Sequence, residues 1–393
     1  MADFRLGPGS SRDSLPEVEA FFQRDISIMT ELLQTNIGNQ YRGLDTETLL
    51  ERIAERKREL ADRILILGHH YEQDGVFRFA DLSGDSLKLS REAAAIRDRE
   101  FLIFCGVHFM AEAADILSAP HQKVLLPHLD AGCPMADMAS RGAIEAAWQE
   151  LCSASGLRGE EIIPITYVNS SAAVKAFVGT HNGSVCTSSN ANRVLAWALE
   201  QGRMVFFFPD QHLGRNAAWM LDIPDNEVFL WHRGEPCGGN DPADIARARV
   251  VLWDGYCEVH MRIFPEHVQD WRAHFPEAKI MVHPECRNEV VRLADLSGST
   301  EGIIQAVSDA KPGSHWVIGT EINLVERLAG QHPDKRVDNL APACLCPTMD
   351  AVSPANLLWV LDNLAGGRVV NRIQVDEEIA IQARKALDQM LAI

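Results

Sequence analysis

Nine short apolar runs dominate the chain from Arg63 onward, and stretches with helical periodicity separate them. This alternation predicts parallel strands joined by crossover helices, which is the pattern of an α/β fold. By their spacing the runs form three groups of three. In chain order they are ILIL at Ile64, FLIF at Phe101, VLL at Val124, IIPIT at Ile162, SVC at Ser184, MVFFF at Met204, RVVLW at Arg249, KIMV at Lys279 and HWVIG at His315.

Helical patterns flank this strand region. The first 44 or so residues show little periodicity apart from one predicted helix near Glu17 to Gln34. The run TLLERIAERKRELA predicts a helix from Thr48 to Ala61, with Thr48 and Glu51 spaced as a capping box. Two more helical patterns follow Cys346, in LLWVLDNL and in EEIAIQARKALDQML.

One stretch of sequence occurs twice with the same spacing. His69 is followed 11 residues later by the word ADLSG and 17 residues later by Ser86. His283 is followed at the same intervals by ADLSG and by Thr300. The repetition predicts a duplicated unit of strand, loop and helix, whereas the plain alternative is two ordinary turns from strand to helix.

The composition argues against several classes of protein function. The chain has 37 basic and 55 acidic residues, a net charge of −18, so nucleic acid and anionic membranes are unfavourable partners. Nine cysteines without a framework of paired spacings argue against a disulfide-stapled secreted domain. No apolar run reaches the roughly 18 residues of a membrane span, and the first 22 residues lack the apolar core of a signal peptide. We therefore expect a cytoplasmic protein.

Chemically active side chains follow the predicted strands. In open parallel sheets ligands bind beyond the carboxyl ends of the strands, so these positions form the candidate site. Three predicted helix starts, at Ser86, Ser188 and Thr300, offer backbone amides and hydroxyls to anions, although capping alone explains each one. The strand-end residues are His69, His70, Tyr71, Cys105, His128, Tyr167, Asn169, Thr187, Ser188, Asp210, His212, Cys257, His283, Glu285, Thr320 and Glu321.

Three cysteines are candidate metal ligands. Cys105 and Cys257 directly follow predicted strands, and Cys346 lies in the connection after the last one. Three converging thiolates would hold a metal ion or an iron–sulfur cluster with one position open to substrate. Spacing does not choose between these, and Cys186 and Cys344 are competing ligands. We assign the remaining cysteines to packing; they are Cys133, Cys152, Cys237 and Cys286.

The sequence resembles the quinolinate synthase family, in its longer form, from about Ile64 to the carboxyl end. The match departs at Gly75, Phe77 and Arg78, where the family often has polar residues. The matching words, in order, are GHHYEQDGVFRFADLSGDSLKLS, FCGVHFMAEAADIL, AGCPMADM, ITYVNSSAAVKAFVG, CTSSNA, FFPDQHLGRN, WDGYCEVH, VHPEC, ADLSGST, IGTEINLVERL and CPTM.

The resemblance implies an architecture of three similar three-layer αβα domains with short parallel sheets around a pseudo-threefold axis. We place a helical extension at 1–58, the three domains at 59–145, 146–228 and 229–345, and a final segment with a cluster ligand and packing helices at 346–393. The resemblance also implies one 4Fe-4S cluster with three cysteine ligands, Cys105, Cys257 and Cys346.

The implied reaction condenses iminoaspartate with dihydroxyacetone phosphate to quinolinate, with loss of phosphate and two waters. By the family motifs, Glu285, Tyr167 and Tyr71 are the candidate acids and bases. The resemblance further implies supply of the imine by L-aspartate oxidase and leaves a homodimer open. The residues implied to hold carboxylates and phosphate are His69, Ser86, Asn169, Ser188, His283 and Thr300.

Three alternatives remain from the residues alone. The first is a 4Fe-4S hydro-lyase for another hydroxy acid, which would need no phosphate site. The second is an electron carrier, which would use a fourth cysteine such as Cys344 or Cys186. The third is a zinc site, which metal content and colour would distinguish from iron.

Overall fold

The computed structural model describes residues 37–393. The predicted helix near Glu17 to Gln34 lies outside this range. Within it, all nine apolar runs form strands, as predicted, and five further short strands join them. The strands are β1 (Ile64–His69), β2 (Leu82–Gly84), β3 (Phe101–Cys105), β4 (Lys123–Leu125), β5 (Ile162–Tyr167), β6 (Ser184–Cys186), β7 (Met204–Phe208), β8 (Val228–Trp231), β9 (Val250–Trp253), β10 (Lys279–Val282), β11 (Leu296–Ser297), β12 (His315–Gly319), β13 (Arg336–Asn339) and β14 (Arg372–Ile373).

Helices alternate with these strands, so the α/β class is confirmed. Most crossover helices run for about ten residues, which is the usual length for such connections. In the described chain the α-helices are Asn39–Arg42, Thr46–Leu60, Asp74–Phe77, Ser86–Ala95, His108–Leu117, Pro134–Asp137, Arg141–Ser155, Ala172–Thr180, Ala191–Gln201, Gln211–Met220, Pro242–Arg247, Pro265–His274, Asn288–Leu293, Thr300–Ser308, Ile322–Gln331, Pro347–Asp350, Pro354–Ala365 and Glu377–Ala392.

The strands form three sheets in two compact units. The first unit comprises the described part of 1–132 with 262–283 and 292–374. It holds one sheet of order β14-β4-β3-β1-β2 and another of order β11-β10-β12-β13. The second unit comprises 133–261, 284–291 and 375–393 and holds the sheet of order β6-β5-β7-β9-β8. All strand pairs in these sheets are parallel except β14 with β4.

One strand was grouped wrongly from the sequence. The run at Arg249 was placed with the third group, but β9 pairs in parallel with β7 in the second sheet. β8 pairs with β9 there as well, so this sheet continues past the predicted domain boundary at 228/229. The pseudo-threefold arrangement and the other segment boundaries stay predictions.

The repeated word ADLSG folds in the same way at both sites. Asp81 accepts a hydrogen bond from the Ile66 amide at 2.9 Å, and Asp295 accepts one from the Ile280 amide at 2.7 Å. In each copy the leucine that follows begins a short strand parallel to the preceding one. The aspartate therefore satisfies a strand amide at the sheet edge, and the predicted unit of strand, loop and helix is present twice.

The helix predicted from Thr48 begins two residues earlier. Asp45 is its N-cap and accepts a hydrogen bond from the Thr48 amide at 2.8 Å, so the predicted capping box of Thr48 and Glu51 was wrong. The helices predicted after Cys346 are Pro354–Ala365 and Glu377–Ala392. Over residues 37–393 no helix combines the length and the hydropathy needed to cross a membrane.

The helix Glu377–Ala392 packs closely on Ala172–Thr180 within the second unit. Gly179 makes this approach possible, because a Cβ atom there would lie 1.9 Å from the carbonyl oxygen of Gln382. Backbone of one helix cannot yield to that clash without moving the whole helix.

We expect Gly179→Ala to destabilise the protein by about 2 kcal/mol or more, because the two helices must separate. The matched control is Gly142→Ala in the exposed first turn of the helix Arg141–Ser155, where a Cβ atom would meet nothing within 4 Å. That change should be neutral or stabilising by up to about 1 kcal/mol. Urea-unfolding midpoints measure both, and equal midpoints for the two variants would contradict the close approach.

Candidate active site

The sequence-predicted site residues fall into two sets, one in each unit. The first unit contains His69, Tyr71, Ser86, Cys105, His283, Thr300 and Cys346. The second unit contains Tyr167, Asn169, Ser188, Cys257 and Glu285.

Tyr71 is the centre of the first set. Its hydroxyl lies 2.8 Å from Thr320 Oγ1, and Thr300 Oγ1 donates to it at 3.3 Å. Its backbone amide donates to His69 Nδ1 at 3.1 Å, and the two rings meet edge to face with centroids 4.7 Å apart. The structure thus brings His69, Tyr71 and Thr300 together, although Thr300 is more than 200 residues distant in sequence.

Arg327 holds the loop that carries Tyr71. Its guanidinium donates to the carbonyl oxygens of His70 at 2.7 Å and Glu72 at 2.6 Å. The same group stacks on the Phe77 ring, 3.8 Å from the centroid. Phe77 is one of the positions at which the sequence departs from the family pattern. Phe77 therefore supplies an aromatic face for the buried guanidinium of Arg327.

The predicted helix starts are correct for two of the three positions. Ser86 and Thr300 are the first residues of their helices, which Asp85 and Ser299 cap. The prediction was wrong for Ser188, because residues 187–190 form a turn and the helix starts at Ala191. The Asn190 side chain accepts from the Thr187 amide at 2.7 Å and stabilises that turn.

Glu285 is the centre of the second set. Its side chain is 3% exposed, and its Oε2 lies 2.8 Å from His260 Nδ1. The Tyr167 hydroxyl donates a short hydrogen bond to its Oε1. A buried carboxyl group with a phenol on one oxygen and an imidazole on the other is equipped to accept and return a proton.

Asn216 fixes the backbone on both sides of Glu285. Its amide nitrogen donates to the carbonyl oxygens of Pro284 at 2.7 Å and Cys286 at 2.8 Å. Asn288 in turn donates to Asn216 Oδ1 at 2.8 Å. Asn216 is fully buried, so this clamp holds the segment that carries Glu285 against its own unit.

Asp210 adds a second buried carboxyl group to this region. Its Oδ1 accepts from the amides of His212 and Leu213 at the start of their helix. Its Oδ2 has no hydrogen-bond partner in the described chain. Burial and the nearby charge of Glu285 raise the pKa of Asp210 well above its ordinary value. The second unit therefore concentrates carboxyl groups away from water.

Two cysteines of the first unit lie near a pair of buried carboxyl groups. Burial, with a contribution from Glu72, raises the pKa of the Cys105 thiol well above its ordinary value. Burial also raises the pKa of Cys346 to about 11, and the charge of Glu321 adds to this rise. Glu72 and Glu321 interact with each other electrostatically. Without a metal, both thiols are therefore neutral at neutral pH.

Sequence reasoning missed three residues of these sets. His260, Asn216 and Glu72 were not candidates, because none directly follows a predicted strand. The spacing Cys257-x-x-His260 was a usable signal, since cysteine and histidine at short separation often share a metal. The other two lie within the matching motifs FFPDQHLGRN and GHHYEQDGVFRFADLSGDSLKLS, but their roles depend on residues distant in the chain.

Comparisons with known proteins identify the family of this chain. The family model described as Quinolinate synthetase A protein matches residues 51–392. The chain belongs to this family. The resemblance that the sequence motifs indicated is thereby confirmed over nearly the whole described chain.

Several curated relatives are similar over most of their length. A quinolinate synthase of Corynebacterium glutamicum is 47% identical over 361 residues, which cover 92% of this chain and 91% of the relative. One from a Nocardioides species is 49% identical, covering 88% and 89%. One from Herpetosiphon aurantiacus is 49% identical, covering 91% and 95%. Family membership therefore applies to the whole fold and not to one domain.

Glu72 allows a test of this buried environment. It is fully buried, and both its carboxylate oxygens lack a hydrogen-bond partner in the described chain. Burial raises its pKa well above the ordinary value, and the nearby Asp350 and Glu321 add to the rise. The folded state thus holds a proton that the unfolded chain releases above its own pKa. The raised pKa of Glu72 therefore contributes fully to the free energy of unfolding in acid, and this contribution is lost as the pH rises toward the folded-state pKa.

We expect Glu72→Gln to raise the free energy of unfolding at pH 8 by about 1–3 kcal/mol, with a much smaller effect at pH 5. The midpoints of urea unfolding at the two pH values measure this change. The amide removes the need to keep a proton on a buried carboxyl group. Glu55→Gln, on an exposed helix face, is the control and should leave both midpoints unchanged. A gain for Glu72→Gln that is the same at both pH values would show that Glu72 is ionised in the folded protein.

Proposed function

We propose that this protein condenses iminoaspartate with dihydroxyacetone phosphate to form quinolinate, with release of phosphate and two molecules of water. Atoms balance without any oxidant or reductant, so no redox partner is required. Near full-length similarity to relatives named quinolinate synthase supports this assignment. The observation that carries its chemistry is the buried Glu285 between Tyr167 and His260.

The reaction needs several proton transfers, and the second unit has groups for them. Closing the pyridine ring requires loss of protons from carbon and nitrogen and protonation of the departing hydroxyl groups. We assign these transfers to Glu285 and Tyr167, since their hydrogen bond lets a proton move between phenol and carboxylate. His260 orients the other carboxylate oxygen. In the first unit, the Tyr71 hydroxyl is held by a hydrogen bond with Thr320.

Substrate anions need donors, and the two sets supply them. In the first unit Ser86 and Thr300 each begin a helix, where backbone amides and the helix dipole attract negative charge. His69 and His283 are buried; His69 ends β1 and His283 directly follows β10, the strands that pair with the short strands before these helices. We assign carboxylate and phosphate binding to these four residues, with Asn169 and Ser188 contributing from the second unit.

The proposed cofactor is one 4Fe-4S cluster bound by Cys105, Cys257 and Cys346. The donor set fits, because each residue offers a thiol. Cys105 is fully buried and interacts electrostatically with Glu72, and the partly buried Cys346 donates its backbone amide to Glu321 at 3.4 Å. When bound, such a cluster with three protein ligands supplies a Lewis acid at its open iron. The raised pKa values of the two thiols mean that loading must release protons.

The proposal includes a supplier for the unstable imine. We assign that role to L-aspartate oxidase acting in the cytoplasm, and a homodimer of this chain is compatible with the proposal.

Replacing Cys257 tests the cluster. We expect Cys257→Ala, purified and assayed without oxygen, to form no quinolinate from dihydroxyacetone phosphate and imine generated in place by L-aspartate oxidase. The control is Cys344→Ala, which removes a buried thiol that the proposal leaves out of the cluster. It should keep both the iron content and product formation. Product from Cys257→Ala, or loss of iron from Cys344→Ala, would overturn the ligand assignment.

Replacing Tyr167 tests the proton path. Tyr167→Phe should lower kcat by about 10²-fold, because the carboxylate of Glu285 loses its phenol partner, while iron content stays the same. Tyr41→Phe is the matched control, since its hydroxyl bonds to Asp362 at 2.9 Å outside the proposed site. It should keep full activity. Equal kcat values for the two variants would remove Tyr167 from the proton transfers.

A further inference from the structure

Three different metal-ligating side chains lie together in the second unit. The ligand atoms of Cys257, His260 and Glu285 all lie within 4.8 Å of one another. The first two stand three residues apart, where the Met261 amide donates to the Cys257 carbonyl at 3.0 Å and closes a turn. The third is held by the clamp from Asn216. Two separate parts of the backbone thus present one thiol, one imidazole and one carboxylate to the same point.

This donor set matches a single divalent ion. Zinc sites use thiolate, imidazole and carboxylate ligands, and three protein ligands leave the fourth tetrahedral position open. With metal–ligand bonds of roughly 2.0 to 2.3 Å, donors around one tetrahedral ion stand roughly 3.3 to 3.7 Å apart. The observed separations bracket these values, since His260 and Glu285 lie 2.8 Å apart and all three ligand atoms lie within 4.8 Å of one another.

The surroundings also favour a cation. Tyr167 donates to the carboxylate oxygen of Glu285 that does not face His260, and metal sites commonly orient a ligand in this way. Asp210 is fully buried, interacts electrostatically with Glu285, and has one oxygen without a hydrogen-bond partner in the described chain. Arg287 is the cationic residue that lies near Glu285 in sequence, and its guanidinium donates to the Met261 carbonyl oxygen at 3.4 Å. A bound dication would offset the two buried carboxylates.

We propose that protein without an iron–sulfur cluster binds one zinc-type divalent ion through Cys257, His260 and Glu285. The site is distinct from the proposed cluster in two of its three ligands and shares only Cys257. A single ion and a cluster therefore cannot both use that thiolate. The site itself does not depend on the proposed function, because its geometry comes from the second unit alone.

Cobalt(II) is a suitable probe, because tetrahedral cobalt with a thiolate ligand shows strong d–d and charge-transfer absorption. Cluster-free protein, titrated without oxygen, should bind one cobalt ion per chain in this form and release it to zinc. His260→Ala should weaken binding by at least about tenfold. His274→Ala, which removes an exposed histidine of the helix Pro265–His274, is the matched control and should bind as the unaltered protein does.

Two more variants separate this site from other thiolates and from misfolding. Cys346→Ala removes a proposed cluster ligand and should leave cobalt binding unchanged. His260→Asn keeps a polar side chain beside Glu285 but offers no good metal ligand, so it should fold and still lose the absorption. The proposal is overturned if His260→Asn binds cobalt normally, or if Cys346→Ala loses the absorption. None of these cobalt-binding measurements detects quinolinate, so a result that overturns the metal site does not affect the proposed function.

Discussion

The interaction on which the structure depends is the parallel pairing of very short strands that are buried on both faces. β3, β5 and β7 have five or six residues each, and every one of those residues is buried. Such strands are apolar along nearly all of their length, and in β5 the polar residues Thr166 and Tyr167 come at the end, so polar chemistry begins where the strand stops. This places Tyr167 as the last residue of β5 and His69 as the last of β1. The candidate site is therefore a direct result of how the sheets are built.

The same construction leaves carboxyl groups buried where they lower stability. Glu72, Asp210 and Glu321 are fully buried, and desolvation raises the pKa of each. A core selected for stability alone would place apolar residues there. All three lie beside residues of the proposed site, namely Cys105, Glu285 and Cys346. Local violations of packing rules concentrate at functional sites, and these three carboxyl groups follow that pattern.

The fold was predictable wherever a local pattern carried the information. Each of the nine apolar runs became a strand, because a short run of consecutive apolar residues favours a buried strand. The two ADLSG segments were predictable as equivalent units for the same reason, since their aspartates bond amides within the same short unit. Errors arose where neighbours decided the outcome. β9 joined the second sheet, and the helix after β6 began at Ala191 because Asn190 stabilises a preceding turn.

The sequence by itself determined the α/β class, the strands, the family and most candidate residues. These follow from hydrophobic periodicity and from short sequence motifs. Only the tertiary structure decided which of these residues meet. It set His260 and Tyr167 on opposite oxygens of Glu285, and it set Thr300 and Thr320 on the Tyr71 hydroxyl. The physical reason is that a hydrogen bond depends on ångström distances between groups that the chain separates by tens to hundreds of residues. Those distances are set only when the sheets form, so neighbouring residues in the sequence do not reveal them.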